Sequence, residues 1–144
     1  MAAQISDKLP VIYSGGDFEG VCIRFRQQLN ENSKKLCWHH SFPEMNHNEL
    51  VGWRSESQDK AVLLLRNESD LARNQKRMEL SKEIFAGYHP LIIEIFSKGS
   101  NRLEKTLYLV HLCDWISIYV AEINGTDAME IDVINYFKSQ LAKS

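Results

Sequence analysis

Glu31 and His47 are the side chains of this 144-residue chain whose setting best suits proton transfer. Glu31 stands among amides in Gln28-Leu29-Asn30-Glu31-Asn32-Ser33-Lys34, where an amphipathic helix is expected to end. The partial negative charge at a helix C-terminus disfavours an ionised carboxylate and moves it toward the neutral range that suits a general base. His47 lies in Pro43-Glu44-Met45-Asn46-His47-Asn48-Glu49-Leu50-Val51-Gly52-Trp53, at the expected start of another helix. In a first turn the protonated imidazole is disfavoured, and an anionic or oxyanion-bearing ligand is favoured. A carboxylate base with a histidine acid is a pair suited to moving a proton between adjacent carbons by general acid–base catalysis. Plainer readings stand beside these: a solvated glutamate at a helix end, and a surface histidine at a cap.

The elements that would position this pair alternate between strand and helix. Pro10-Val11-Ile12-Tyr13 reads as a buried strand ended by Ser14-Gly15-Gly16. Asp17 is placed to cap a helix whose stripe is Phe18, Val21, Cys22, Phe25 and Leu29. Leu36-Cys37-Trp38 is a candidate second strand. Asn46 with Glu49 three residues on fits a capping-box start for a short helix reaching about Trp53. The continuous run Ala61-Val62-Leu63-Leu64-Leu65 suits a parallel strand covered on both faces. A helix from Ser69 or Asp70 to about Ala86, a strand at 91–96, a long and mostly apolar helix at 101–123, and a last helix capped by Asp127 complete the chain. That last helix places Met129, Val133, Ile134, Phe137 and Leu141 on one stripe, with Lys138 at its edge, where a lysine commonly snorkels. The alternation predicts an α/β domain with a mostly parallel sheet flanked by helices.

Composition narrows the function. A length of 144 residues fits one domain, and 44% hydrophobic with 25% charged residues is ordinary for a globular protein. A net charge of -2 with no basic stripe argues against a nucleic-acid partner. The run Arg73-Asn74-Gln75-Lys76-Arg77 reads as a solvated helix face. No apolar run approaches the ~20 residues of a membrane span, so no membrane partner is expected. Cys22, Cys37 and Cys113 have no paired spacing, which fits a reducing, cytoplasmic setting. Asn67 and Asn124 head chance sequons. Cys37, His39, His40 and His47 match no zinc spacing, so no metal and no cofactor is expected. Ser14-Gly15-Gly16-Asp17 lacks a full dinucleotide or Walker pattern and reads as a plain β–α turn.

Four segments in order resemble the C-terminal half of the bacterial and archaeal bifunctional phosphoglucose/phosphomannose isomerases, members of the sugar isomerase (SIS) superfamily. They are Asn30-Glu31-Asn32, the segment from Pro43 to Trp53, Cys113-Asp114-Trp115-Ile116-Ser117-Ile118-Tyr119-Val120-Ala121, and Tyr136-Phe137-Lys138-Ser139-Gln140-Leu141. The resemblance implies a three-layer, flavodoxin-like SIS domain over residues 1–144. It also implies aldose–ketose isomerisation of glucose or mannose 6-phosphate to fructose 6-phosphate through a cis-enediol. By the same resemblance Glu31 is the base, and His47 opens the sugar ring, reaching the site of an adjacent subunit in family dimers. Lys138 would open the ring or stabilise charge, and Asn30, Asn46 and Asn48 are candidate substrate-binding amides. Asn46 and Glu49 also suit a purely structural role at the helix start. The family's Asp-Pro-Thr-Pro is here Asp127-Ala128-Met129-Glu130, which removes two prolines and a hydroxyl. The Ser/Thr-rich loop with which the family's first domain grips the phosphate has no counterpart here. The implied partners are a hexose 6-phosphate and either a second copy of this chain or a separate N-terminal SIS domain. A non-catalytic SIS module that binds a sugar phosphate or another subunit is the alternative.

Overall fold

The run Ala61–Leu65 forms the centre of a four-stranded parallel sheet. The computed structural model describes residues 1–143. Strands β1 (Leu9–Gly15), β2 (Trp38–Phe42), β3 (Lys60–Arg66) and β4 (Leu91–Phe96) lie in the order β2-β1-β3-β4, all parallel. Ile12 lies opposite Leu63 and His39, and Leu64 opposite Tyr13 and Glu94. Because side chains alternate across a sheet, this register splits the core in two. On one face Ile12, Leu63, Leu65 and Ile95 meet the helices α1 (Ala2–Ile5), α2 (Glu19–Ser33) and α5 (Arg102–Ile123). On the other, Val11, Tyr13, Val62 and Leu64 meet the one-turn helix α3 (Met45–Asn48), the 3-10 turn Leu50–Trp53 and the helix α4 (Ala72–Ala86). The helix α6 (Asp132–Leu141) closes the order and buries no residue. The predicted three-layer α/β domain is the observed one.

Where boundaries differ from the sequence reading, a buried side chain or local hydrogen bond explains it. The second strand begins at Trp38 rather than Leu36. Leu36 is 82% exposed, and the buried anchor of this edge strand is Phe42, masked in the pattern by His39, His40 and Ser41. α4 begins at Ala72, after Asp70 turns into the core and the Gln75 side chain ties down the Glu68 and Asp70 carbonyls. Asp127 caps a tight turn, accepting from the Met129 amide at 2.8 Å, so α6 starts five residues later. Asn101 caps α5 by accepting from the Glu104 amide at 3.0 Å.

α5 is long and apolar enough, by length and composition, to cross a bilayer. Its inner side instead packs in the core through Leu109, Cys113, Ile116 and Val120, and its Asp114 pairs with Arg24 of α2 at 2.7 Å. That packing accounts for only part of its hydropathy, since Leu103, Leu107 and Trp115 are exposed. All three cysteines are free. Burial pushes the Cys22 thiol up to about 12 and Cys37 to about 11, and raises Cys113 as well, so these thiols behave as small apolar groups.

Candidate active site

Glu31 sits on the last turns of α2. That helix runs opposite to the strands it follows and precedes. Its first residue, Glu19, meets Ser41 at the end of β2 at 3.5 Å, while Asn30 donates to the Lys35 carbonyl at 2.6 Å, just ahead of β2. Glu31 therefore lies at the amino-terminal edge of the sheet. Lys34 closes the helix in the left-handed region at φ 54, and its ammonium donates to the Glu31 carbonyl oxygen at 2.7 Å. The Glu31 carboxylate is exposed beside a cavity of about 490 Å³ lined by Asn30, Glu31, Lys34, Ile131, Val133 and Ile134, among others. The volume is within the range of small-molecule sites. The wall is mostly apolar and the polar groups cluster at the α2 side.

His47 lies on the other face of the sheet. Pro43 and Glu44 open its turn: the Asn46 amide bonds the Pro43 carbonyl at 3.1 Å, and the His47 amide bonds Glu44 at 2.9 Å. The helix thus begins at Met45 with no side-chain cap, and His47 is the third residue of its single turn. The predicted capping box is absent because both of its side chains turn inward. Asn46 donates to the buried Ser81 hydroxyl of α4 at 2.9 Å. Glu49 accepts from the Tyr13 hydroxyl and from the Trp38 indole, the latter at 2.9 Å. The Trp53 indole in turn donates to the Tyr13 oxygen at 3.1 Å. Burial, with Glu49 as acceptor, raises the Tyr13 hydroxyl well above its usual range and keeps it a donor. Met45 and Trp53 are buried, whereas His47 and Asn48 between the anchors point to solvent.

The structure therefore gathers Asn30, Glu31 and the start of α6 around one cavity and keeps His47 and Asn48 away from it. Lys138 is exposed on α6, one turn beyond Ile134. Asn30 and Asn46 spend their amide N–H groups on structure. The sequence reading missed the Tyr13–Glu49–Trp38 network. Its signal was a strand tyrosine whose hydroxyl needs a partner once buried. Among the described residues no group of three or more His, Cys, Asp or Glu is arranged to hold a metal ion.

Parallel α/β sheets bind ligands where neighbouring strands send their connections to opposite faces, which here is the crevice between the ends of β1 and β3. Asp70 fills it. A Cβ on Gly15 would lie 2.7 Å from Asp70 Oδ1, and Asp70 Oδ2 is buried without a partner. Burial pushes this carboxyl up from the usual range. A carboxyl whose folded-state pKa is raised favours the native state below its unfolded pKa, about 3.9, and loses that contribution as pH rises through the folded value. Asp70→Asn is thus expected to raise the thermal midpoint at pH 7, with the gain vanishing near pH 3. Scans at several pH values check this, and a midpoint lowered at pH 7 would show the ionised carboxylate to be satisfied.

The four parallel strands flanked by helices on both faces define a three-layer α/β domain. The chain belongs to the family described as the bacterial phospho-glucose isomerase C-terminal SIS domain, which matches residues 1–141. It is 36% identical over 145 residues to a bifunctional phosphoglucose/phosphomannose isomerase of Aquifex aeolicus, and 31% identical over 147 residues to one of Caldicellulosiruptor bescii. Each match covers 99% of this chain but only 45% and 43% of the relative, so the chain spans less than half the length of these curated relatives. Among solved structures it resembles a glucose-6-phosphate isomerase like protein from Thermus thermophilus, with a TM-score of 0.70, 24% identity, and coverage of 88% of this chain and 41% of that one. It also resembles the C-terminal domain of glucosamine-fructose-6-phosphate aminotransferase from Francisella tularensis, with a TM-score of 0.68, 15% identity, and coverage of 90% and 40%. These two likenesses speak to the fold.

Proposed function

We propose that this domain is the C-terminal half of a cytoplasmic, dimeric phosphohexose isomerase. It would interconvert glucose or mannose 6-phosphate and fructose 6-phosphate through a cis-enediol. Glu31 takes the proton from C2 of the aldose and returns it to C1. His47 protonates the ring oxygen to open the sugar, and Lys138 offsets charge that develops on the substrate. Asn30, Asn46 and Asn48, each beside Glu31 or His47 in sequence, are candidate substrate-binding amides, and Asn30 and Asn46 are already tied to the fold. The observation that carries the reading is the exposed Glu31 carboxylate at the rim of a ligand-sized cavity. The phosphate cradle comes from the other half of the isomerase, because no Ser/Thr-rich loop borders this cavity among the described residues.

The placement of His47 on the opposite face gives the proposal its second part. The placement of Glu31 and His47 on opposite faces of the sheet supports a reading in which the histidine serves a neighbouring subunit. The test joins this chain to the remaining half of the Aquifex aeolicus relative and follows deuterium entry into fructose 6-phosphate in deuterated water. Exchange is expected from the joined protein, and none from a folded joined protein would sink the reading. A 1:1 mixture of Glu31→Gln and His47→Gln subunits, each inactive, should regain about a quarter of the parent activity. Half the dimers are then mixed, and one of their two sites is intact. No regain after subunit exchange would count against His47 acting on the neighbouring subunit's site.

A non-catalytic SIS module is the second reading, favoured by the missing phosphate loop. It predicts hexose-phosphate binding that survives Glu31→Gln, with no exchange in any assembly.

A further inference from the structure

Beside the crevice that Asp70 fills, the connections leaving β1, β3 and β4 surround a second cavity of about 100 Å³. Its wall includes Asp17 after β1, Asn67 and Ser69 after β3, and Ser100, Arg102 and Lys105 after β4. It lies at the carboxyl ends of the strands, where sheets of this kind hold ligands. Glu31 lies at the opposite edge, about 20 Å away along strands of seven residues. The volume is that of about three water molecules in the liquid. It admits one tetrahedral oxyanion and excludes a hexose ring.

Two buried side chains in the wall suit a negative charge. Lys105 is 6% exposed, and its ammonium donates to the Ser69 hydroxyl at 2.8 Å and to Glu68 at 3.1 Å. An ammonium has three N–H groups, so one is left over. Glu68 is its one carboxylate partner among the described residues, and that side chain is 84% exposed. A buried cation needs a counter-charge, and here it is an arm standing in solvent that an entering anion can replace. Asn67 is 7% exposed. Its Oδ1 accepts from the Ser69 amide at 3.1 Å and the Ser97 hydroxyl at 3.3 Å, which fixes the orientation of the side-chain amide. Its Nδ2 has no partner among the described residues, which leaves a costly unpaired donor at the cavity. The Ser69 hydroxyl accepts from Lys105 and keeps its own proton to donate. The first turn of α5 borders the same cavity. Among the described residues its Arg102 and Leu103 amides have no partner, because Asn101 caps the Glu104 amide alone. Asp17, the acidic residue of the wall, is exposed and lies 3.6 Å from the Arg102 guanidinium. The fixed groups inside are thus donors, and the carboxylates stand at the rim.

We propose that this cavity is a second anion site, in which Lys105, Asn67, Ser69 and the start of α5 take a phosphate group that displaces Glu68, the built-in occupant. The site is separate from the Glu31 cavity and stands whether or not the isomerase reading does.

The test titrates inorganic phosphate into the 144-residue chain at constant ionic strength and follows amide chemical shifts. Residues 67–69 and 100–105 should shift saturably, and residues 30–36 should not. Glu68→Gln removes the competing carboxylate and should tighten binding roughly threefold. Glu83→Gln makes the same change of net charge at an exposed position of α4 and should leave binding unchanged. Lys105→Met should weaken binding about tenfold or more, the scale of one charge-assisted hydrogen bond. Should Lys105→Met fail to fold, the paired Glu68→Gln and Glu83→Gln titrations still decide. Glucose 6-phosphate separates the two sources of the phosphate group. The same shifts at equal or tighter affinity identify a phosphate monoester whose sugar lies outside the cavity, and a much weaker response identifies the free anion. Shifts that rise linearly with phosphate, spread over the surface or centre on residues 30–36 overturn the proposal. Equal effects of Glu68→Gln and Glu83→Gln overturn it as well.

Discussion

Glu31→Gln in the protein joined to an N-terminal half should abolish deuterium exchange between fructose 6-phosphate and solvent, with a loss of at least about 10²-fold. A positioned general base contributes roughly 10²–10⁴-fold, and glutamine keeps the shape and one acceptor while losing the basicity. The KM for hexose phosphate should change little if, as proposed, most binding energy comes from the phosphate held by the other half. The folded state should be indifferent to the change. The Glu31 side chain is exposed, and its partner Lys34 bonds the backbone carbonyl rather than the carboxylate. A variant that exchanges at the parent rate would remove Glu31 from the mechanism. A variant that loses exchange and stability together would show that the residue is structural.

That separation of chemistry from stability recurs across the domain. The residues proposed to react, Glu31, His47 and Lys138, are all exposed and spend no side-chain atom on the core. The residues beside them do the holding: Asn30 ties α2 to the entry of β2, while Asn46 and Glu49 pin the turn that presents His47. Exposed candidate groups beside fixed neighbours are what the proposed site shared between two domains would require.

Much of the fold was legible in the chain because its core elements carry strong periodic patterns. Ala61–Leu65 and Leu91–Phe96 read as strands, and Phe18, Val21, Cys22, Phe25 and Leu29 as a helix stripe, because burial alone selects those residues. The second strand, expected at 36–38, runs over Trp38–Phe42 because an edge strand needs only one buried anchor, Phe42, and tolerates His39 and His40 in its middle. The start of the His47 helix was misjudged for a different reason. Asn46 and Glu49 have the residue types of a capping box, yet long-range partners, Ser81 and Tyr13, took both side chains. Local pattern cannot reveal a competitor 35 residues away. The two candidate reactive residues were named from their motifs, but their placement on opposite faces follows only from the three-dimensional course of β1, β2 and α3.

The largest effect on stability is expected from Phe85→Ala. Phe85 is fully buried on α4, stacked on Tyr13 at 5.7 Å between ring centroids and tilted against Trp53 at 4.8 Å. Truncation removes a large apolar side chain, leaves a cavity and breaks both ring contacts, a loss of about 3–5 kcal/mol. For a domain of this length that lowers the midpoint by roughly 10 °C or more. The same change also bears on the site. Tyr13 and Trp53 are the inner end of the network that holds Glu49, so their loosening should free the turn carrying His47. Phe25→Ala, equally buried but on the opposite face among α2 and α5, is the matched control. Hydrogen exchange at residues 45–53 should accelerate in Phe85→Ala well beyond the change in Phe25→Ala at equal overall destabilisation. Equal acceleration in both would mean that the His47 turn opens only with global unfolding and that the aromatic cluster does not hold it locally.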